Sequence, residues 1–248
     1  MANPFKDLKE LNRDLDNFLR RHRTVIYNHS KRISDFFEMA CYNNIVRFYE
    51  NNGYVTQIKN LVKQKFRYKC STAGNPDNFS FFEISKTQGN QIKLYEIRHN
   101  LNVQSSFQKD IFTTPDISVI HPNTIMKDED FYHSNTKYYF VENHSLITFC
   151  EAKNFNPFPE LLFNFVGIIN ELKPRLLKPK KANGREHLSA SLLISGKSNA
   201  HSDRIKKSLE GRYHINILYD LFTIGNASFS KYNIVRLRKL DTLKQIKL

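Results

Sequence analysis

Apolar positions near the start of the chain follow helical spacing. Residues 1–30 are predicted to form an N-terminal helical segment, because steps of three and four residues separate Leu8, Leu11, Leu15, Phe18 and Leu19. A second amphipathic helix is predicted within DFFEMACYNNIVRFYENN. Gly53 is suited to end that helix, since glycine readily adopts the left-handed conformation found after many helices.

Strand patterns dominate the middle of the chain. Apolar runs bounded by turn residues predict strands in FSFFEIS, in residues 92–105, in PDISVI and in YYFVENHSLITFCEAK. Gly89 lies between the first two runs and suits a hairpin turn. The polar stretch 121–137 contains a proline and is predicted to be a loop.

Helices and strands alternate towards the C-terminus. Residues 157–177 have helical spacing, HLSASLLISG reads as a strand, SDRIKKSLEGR as a short helix with Ser202 as a candidate cap, and YHINILYDLF as a strand. This order predicts an α/β fold in which a mixed central sheet is flanked by helices, with residues 31–248 forming one core.

Composition points to a globular protein of a reducing compartment. The chain has 40% apolar residues, 20 Phe and 12 Tyr, which argues against general disorder. Its three cysteines are far apart and form no CxxC pair, so neither a disulfide framework nor a zinc knuckle is expected. No signal core precedes the first helix and no run of 18 apolar residues occurs, which predicts a cytoplasmic protein without a membrane partner.

The positive charge is concentrated in the C-terminal third. The chain carries a net charge of +14, and residues 172–248 contain 17 Lys and Arg against five acids, a net charge of +12. Such asymmetry indicates a polyanionic partner, although a solvated basic surface is the alternative. Candidate phosphate contacts are the run 173–181 and Lys206, Lys207, Arg212, Arg236 and Arg238.

One apolar strand ends with an acid and a lysine two residues apart. In SLITFCEAKNF, strand alternation places Glu151 and Lys153 on the same face, directly after buried positions. Buried charges are costly unless they are paired or hold a metal ion. Asp116 begins the apolar run PDISVI, and if the two strands pair, two carboxylates converge at one sheet edge. Such oxygen ligands suit Mg²⁺ or Mn²⁺. The alternative is an ordinary ion pair at a strand end.

These motifs resemble those of the PD-(D/E)xK nuclease superfamily, the restriction-endonuclease-like phosphodiesterases. The resemblance lies in Pro115 and Asp116 and in the E-x-K triplet Glu151, Ala152 and Lys153. It implies a restriction-endonuclease-like core in which Asp116, Glu151 and the Ala152 carbonyl hold Mg²⁺, for which Mn²⁺ can substitute. Lys153 would then position the attacking water.

The resemblance also extends to the flanking helices. The family often has an acidic residue on the preceding helix, and Glu38 matches this position better than Glu50, which lies at the helix end. A helix normally follows the E-x-K strand, and residues 157–177 supply one. Glu96 is a further strand acid, expected to pair with Arg98. His99, His121, His133 and His144 are scattered without metal spacing and are expected to be solvated.

The implied function is a divalent-metal-dependent endonuclease acting on DNA in preference to RNA. Members of the family serve restriction, phage defence, repair or mobile elements, and a homodimer or a larger defence complex is a candidate assembly. Two alternatives stay open from the sequence. One is an RNA-cleaving effector on the same fold, and the other is a catalytically inactive nucleic-acid-binding module.

Overall fold

A computed structural model describes residues 33–128, 137–178 and 187–221. The predicted N-terminal helical segment over residues 1–30 lies outside these ranges, as do Arg236 and Arg238. Three α-helices occur in the described residues: α1 (Ile33–Asn51), α2 (Pro159–Leu172) and α3 (Ala200–Arg212). Gly53 follows α1 with a φ of +79°, as its position in the sequence predicts.

The described residues also contain eleven strands. In chain order they are β1 (Val55–Lys59), β2 (Phe81–Gln88), β3 (Gln91–His99), β4 (Asn102–Gln104), β5 (Phe112–Thr113), β6 (Ile117–Ile120), β7 (Ile125–Asp128), β8 (Tyr138–Val141), β9 (Leu146–Lys153), β10 (Ser191–Ile194) and β11 (Asn216–Leu218). They form a seven-stranded sheet of order β1-β2-β3-β6-β9-β10-β11 and a four-stranded sheet of order β5-β4-β8-β7.

The large sheet has an antiparallel half and a parallel half that meet at β9. Strands β1, β2, β3, β6 and β9 pair antiparallel in that order, whereas β9, β10 and β11 are parallel. Parallel neighbours need a crossover connection, and α2 and α3 provide one each. The mixed sheet with flanking helices predicted from the sequence is therefore confirmed.

Two hydrophobic clusters cover the large sheet. The first packs α1, through residues such as Phe37 and Tyr42, against β3, β6 and the Cys150–Ala152 side of β9. The second packs α2 and α3 against the Phe149 side of β9, and it also includes residues of the small sheet. The strand β9 is thus buried on both faces, which matches its nearly continuous apolar sequence.

Three secondary-structure predictions need correction. Residues 92–105 form two strands in different sheets, because the chain turns at Asn100, whose φ is +49°. YYFVENHSLITFCEAK likewise divides into β8 and β9, separated by a 3-10 turn over Asn143–Ser145. The stretch 121–137 is not entirely loop, since Ile125–Asp128 forms β7 against β8. The local periodicity of the sequence does not show where the chain passes from one sheet to the other.

The N-cap residue of α3 is not Ser202, as predicted, but Asn199, three residues earlier. Asn199 is the N-cap, and its side chain accepts hydrogen bonds from the backbone of His201 and Ser202. Ser202 is the reciprocal partner, whose hydroxyl accepts the Asn199 N–H at 2.9 Å. Among the described helices, none combines the length and apolar character needed to cross a bilayer.

Candidate active site

Asp116 lies where the pairing between the two central strands ends. Strands β6 and β9 are antiparallel, and their last pair at this end is Ile117 with Cys150. Pro115 has no N–H to continue the ladder. The Asp116 carboxylate instead accepts the Ala152 backbone N–H at Oδ2, over 2.7 Å. A side chain therefore replaces the missing ladder bond, which brings Asp116 to the end of β9.

Lys153 joins the two carboxylates predicted to share a site. Its Nζ lies 3.0 Å from Asp116 Oδ2 and 2.8 Å from Glu151 Oε2. The two carboxylate oxygens are thus no more than 5.8 Å apart, the sum of those distances. The alternation of β9 places Glu151 and Lys153 on one face, as the sequence predicts. The structure brings Asp116, Glu151 and Lys153 into one cluster, called here the carboxylate–lysine cluster.

Burial shapes the protonation of this cluster. The Glu151 side chain is 6% exposed, and that burial, with the neighbouring charge of Asp116, raises the pKa of its carboxyl. Burial by itself lowers the pKa of Lys153, but the carboxylates of Glu151 and Asp116 outweigh it, so the net shift is upward. The lysine therefore stays protonated at neutral pH, and its charge opposes the upward shift of the Glu151 pKa.

Glu38 approaches the cluster from α1. Burial, followed by the charge of Asp116, raises the pKa of its carboxyl to about 8, and Lys153 opposes this shift. The direction matches a half-buried acid placed beside other acids. Glu38 is thus near enough to Asp116, Lys153 and Glu151 for their charges to shift its pKa, while its role as the helix acid stays a prediction. Glu50, the alternative, accepts a hydrogen bond from Thr56 at 2.8 Å.

His99 was wrongly expected to be solvated. Its side chain is only 3% exposed, and its Nε2 lies 3.8 Å from Glu38 Oε2. Its Nδ1 is 2.7 Å from the Lys69 carbonyl, and burial lowers its pKa. Strand alternation could have revealed this placement, because His99 has the same parity as the buried residues Tyr95 and Ile97.

Lys69 is a second buried charge that the sequence did not single out. Its Nζ donates to the carbonyls of Ser71, Thr72 and Asn100, at 2.7 to 2.8 Å. Burial lowers the pKa of this amine to about 8. Three carbonyl acceptors stabilise the remaining charge and hold the segment after Lys69 against the start of β4. Lys69 thereby fixes the backbone around His99.

The loops after β9 and β10 pack tightly beside the cluster. Ser195 Oγ donates to Asn154 Oδ1 at 2.8 Å, and Gly196 N–H donates to the Phe155 carbonyl at 3.2 Å. A Cβ on Gly196 would lie 2.5 Å from the Asn156 Cα, so only glycine fits this approach. Lys197 follows and is exposed. It is a cation near the end of β9 that sequence reasoning missed.

The strand acid Glu96 has an ion-pair partner, and the candidate phosphate contacts Lys206, Lys207 and Arg212 lie on α3. Glu96 pairs with Arg98 at 2.7 Å, as expected for a strand acid. Lys207 and Arg212 are exposed on α3, whereas Lys206 is half-buried over the ring of Tyr219.

The carboxylates of Asp116 and Glu151 are the candidate ligands for a divalent cation. In the part of the chain that the structure describes, no group of three or more His, Cys, Asp and Glu side chains is arranged to hold a metal ion. Mg²⁺ does not require such a group, because proteins often bind it through one or two carboxylates while it keeps several waters. Asp116 and Glu151 share one cationic partner, the Lys153 ammonium. Carboxylate oxygens are the donors that hard cations prefer, so the two acids fit such an ion by ligand type.

Comparisons with protein-family models, with curated proteins and with solved structures found no match. The resemblance of the two motifs to the PD-(D/E)xK superfamily has no support from a relative and stays an expectation.

Proposed function

We propose that this chain is a divalent-metal-dependent nuclease that hydrolyses phosphodiester bonds, with DNA as the preferred substrate. One observation carries the proposal: Lys153 Nζ lies within 3.0 Å of two buried carboxylates that come from neighbouring central strands. Burying two carboxylates beside a partly exposed lysine is unfavourable compared with apolar packing unless the charges have a function. Sites that bind metal and phosphate have this composition.

The topology supports a restriction-endonuclease-like core. Helix α1 precedes an antiparallel run of β3, β6 and β9, and α2 then connects β9 to the parallel strand β10. This is the order that the resemblance implies, with Asp116 directly before β6 and the E-x-K triplet at the end of β9. The extra strands extend the sheet at its edges and leave this order intact.

Each residue of the carboxylate–lysine cluster has a defined role in the proposal, as does Glu38 on α1. Asp116, Glu151 and the Ala152 carbonyl would hold Mg²⁺, which when bound polarises a phosphoryl oxygen and lowers the pKa of a coordinated water. Lys153 donates hydrogen bonds to the attacking water and stabilises the negative charge that grows on the phosphate. Glu38 exchanges a proton through its carboxyl group near neutral pH.

A digest with and without metal tests the proposal. Duplex DNA, single-stranded DNA and tRNA are incubated with the full chain in Mg²⁺ or in EDTA, alongside Asp116→Asn. Glu83→Gln is the matched control, because Glu83 is a half-exposed acid of the same sheet that pairs with Lys59 at 2.8 Å. Cleavage of DNA that requires Mg²⁺, and that only Asp116→Asn abolishes, is the expected result.

Other outcomes of the digest have a clear meaning. Cleavage of tRNA alone would assign the RNA-cleaving effector. Metal-independent binding without cleavage of any substrate would contradict the proposal and assign the inactive binding module.

A further inference from the structure

A second site is suggested by a hollow at the opposite end of β9. The hollow has a volume of about 870 Å³ and is lined by residues 104–109, 142–144 and 172–175. It adjoins the first residue of β9, while the carboxylate–lysine cluster lies at the last. At about 3.3 Å per strand residue, this places the two sites roughly 20 Å apart. The hollow is called here the distal hollow.

The walls of the distal hollow are held by hydrogen bonds. Ser105 Oγ donates to Glu171 Oε2 at 2.7 Å and accepts the Phe107 N–H at 3.1 Å. The Asn143 side chain donates to the carbonyls of Gln104 and Leu172, at 3.1 and 2.8 Å. These bonds join three separate segments of the chain, so the hollow is formed before any ligand binds.

Cations outnumber acids in its lining. Lys109 and Arg175 are exposed, and among the described residues no ion pair involves either side chain. Lys173 donates from Nζ to the Leu146 carbonyl. Burial, and then the charge of Arg175, lower its pKa to about 8, so the two cations are close enough to repel each other. The lining acid, Glu142, lies 3.2 Å from His144.

An aromatic ring completes the lining. Phe107 is 59% exposed although hydrogen bonds anchor its loop. Within the described residues it makes no contact with another ring. An exposed aromatic face beside unpaired cations can stack on a nucleobase while the cations bind phosphate. Polar amides at Gln104 and Gln108 add groups that hydrogen-bond to a base.

We propose that the distal hollow binds a nucleotide, with its base on Phe107 and its phosphate on Lys109, Lys173 and Arg175. The volume falls within the range typical of small-ligand sites. The nucleotide is either free or the phosphorylated end of a strand, since both present the same base and phosphate. The site is separate from the carboxylate–lysine cluster and does not depend on the proposed nuclease function.

Calorimetric titration of the full chain in EDTA tests this site. The probes are 5′-AMP, inorganic phosphate, and a thymidine hexanucleotide with or without a 5′-phosphate. We expect Arg175→Gln to weaken AMP binding at least tenfold. Lys178→Gln is the matched control, because Lys178 is an exposed cation three residues away that does not line the hollow. Loss of binding in both variants, or in neither, would overturn the assignment.

The base contact has its own test. Phe107→Ala should weaken AMP binding while leaving inorganic phosphate binding unchanged. Phe163→Ala, at another exposed phenylalanine, should affect neither probe. Equal binding of AMP and inorganic phosphate in the wild type would contradict a nucleotide site. Tighter binding of the 5′-phosphorylated hexanucleotide than of AMP would identify a strand end as the ligand, and equal binding a free nucleotide.

Failure of this inference can be told apart from failure of the proposed nuclease. Glu151→Gln should abolish cleavage and leave AMP binding unchanged. If the chain cuts no nucleic acid but binds AMP through Arg175, the nucleotide site is supported and the nuclease proposal is wrong. If it cuts DNA but binds no AMP or hexanucleotide at the hollow, only the nuclease proposal survives.

Discussion

Lys153 differs from Lys59, a strand lysine of the same sheet that also has an ion pair. Lys59 pairs with Glu83 on neighbouring strands, and both side chains are substantially exposed. Lys153 instead contacts two carboxylates, which are 11% and 6% exposed. Exposed pairs contribute little to stability, whereas removing one partner of a buried pair leaves an uncompensated charge. The two lysines therefore form a matched comparison at the scale of single residues.

Substitutions at Lys153 and Glu151 should abolish cleavage for different reasons. Glu151→Gln removes a proposed metal ligand, so Mn²⁺ affinity should fall. Lys153→Ala leaves both carboxylates and removes a positive charge, so Mn²⁺ should bind at least as tightly. Its cleavage rate should nevertheless fall by about 10²–10³. Calorimetry with Mn²⁺ and a nuclease assay measure both quantities.

Lys59→Ala is the control for this pair of variants. It removes an ion pair from the same sheet and should leave cleavage unchanged. A Lys153→Ala protein that cuts at the normal rate would mean that the cluster is a structural ion pair.

Glu38 should make the stability of the metal-free chain depend on pH. Its folded-state pKa of about 8 lies above 4.5, the ordinary value for a glutamate, so the folded state binds the proton more tightly. The free energy of unfolding should therefore decrease as pH rises from 4.5 towards 8. Glu38→Gln stays neutral and should remove part of this decrease. The remaining pH dependence combines Glu151, which acts in the same direction, with His99, whose lowered pKa acts in the opposite direction.

Urea denaturation in EDTA at pH 5.5 and pH 8 measures this effect. Glu50→Gln, at the other end of α1, is the control. It should show the same difference in unfolding free energy between the two pH values as the wild type. The same pH dependence in Glu38→Gln as in the wild type would show that Glu38 does not titrate in this range.

At the scale of elements, the contact between the loops after β9 and β10 positions the end of β9. Gly196→Ala would place a Cβ 2.5 Å from the Asn156 Cα, and the backbone must move to relieve it. We expect a loss of about 1–3 kcal/mol in stability, together with reduced cleavage. Thermal unfolding and the nuclease assay measure the two effects.

Gly167→Ala is the matched control for that substitution. Gly167 lies within α2, and an added Cβ there meets no atom within 4 Å. Because alanine favours a helix over glycine, this variant should gain about 0.5–1 kcal/mol. Equal effects at the two positions would contradict the close packing around Gly196.

The type of most elements followed from the sequence, but their assignment to sheets did not. Strand alternation predicted that Glu151 and Lys153 share a face, and the apolar runs predicted β6 and β9. The break at Asn100 depends on a left-handed backbone conformation that asparagine tolerates, with no glycine to signal it. Strand alternation places His99 on the face of Tyr95 and Ile97, but the cover that Tyr42 of α1 gives this face depends on packing across the sheet, about which local periodicity carries no information.

At the scale of the whole molecule, the charge asymmetry predicts salt-sensitive binding of nucleic acid. Each phosphate contact contributes a slope of about −0.9 in log K against log salt concentration on duplex DNA. Replacing Lys206, Lys207 and Arg212 with Gln should therefore make the slope less steep. Fluorescence anisotropy with a labelled duplex in EDTA, at several salt concentrations, measures it.

The control for this variant removes the same charge from another region. Gln at Lys63 and Lys65, which lie between β1 and β2, and at Lys93, which lies on β3, should leave the slope near its wild-type value. If both triple variants reduce the slope equally, net charge alone controls binding, and α3 makes no specific contact.

The hydrogen bond from the Ala152 N–H to Asp116 gives the chain a built-in spectroscopic probe. Most strand amides bond to backbone carbonyls, whose charge never changes, but this one bonds to a carboxylate over 2.7 Å. Its ¹⁵N and ¹H chemical shifts should therefore respond when Asp116 gains a proton or a metal partner. A single resonance in an ordinary heteronuclear NMR spectrum would then report the state of the carboxylate–lysine cluster without any added label.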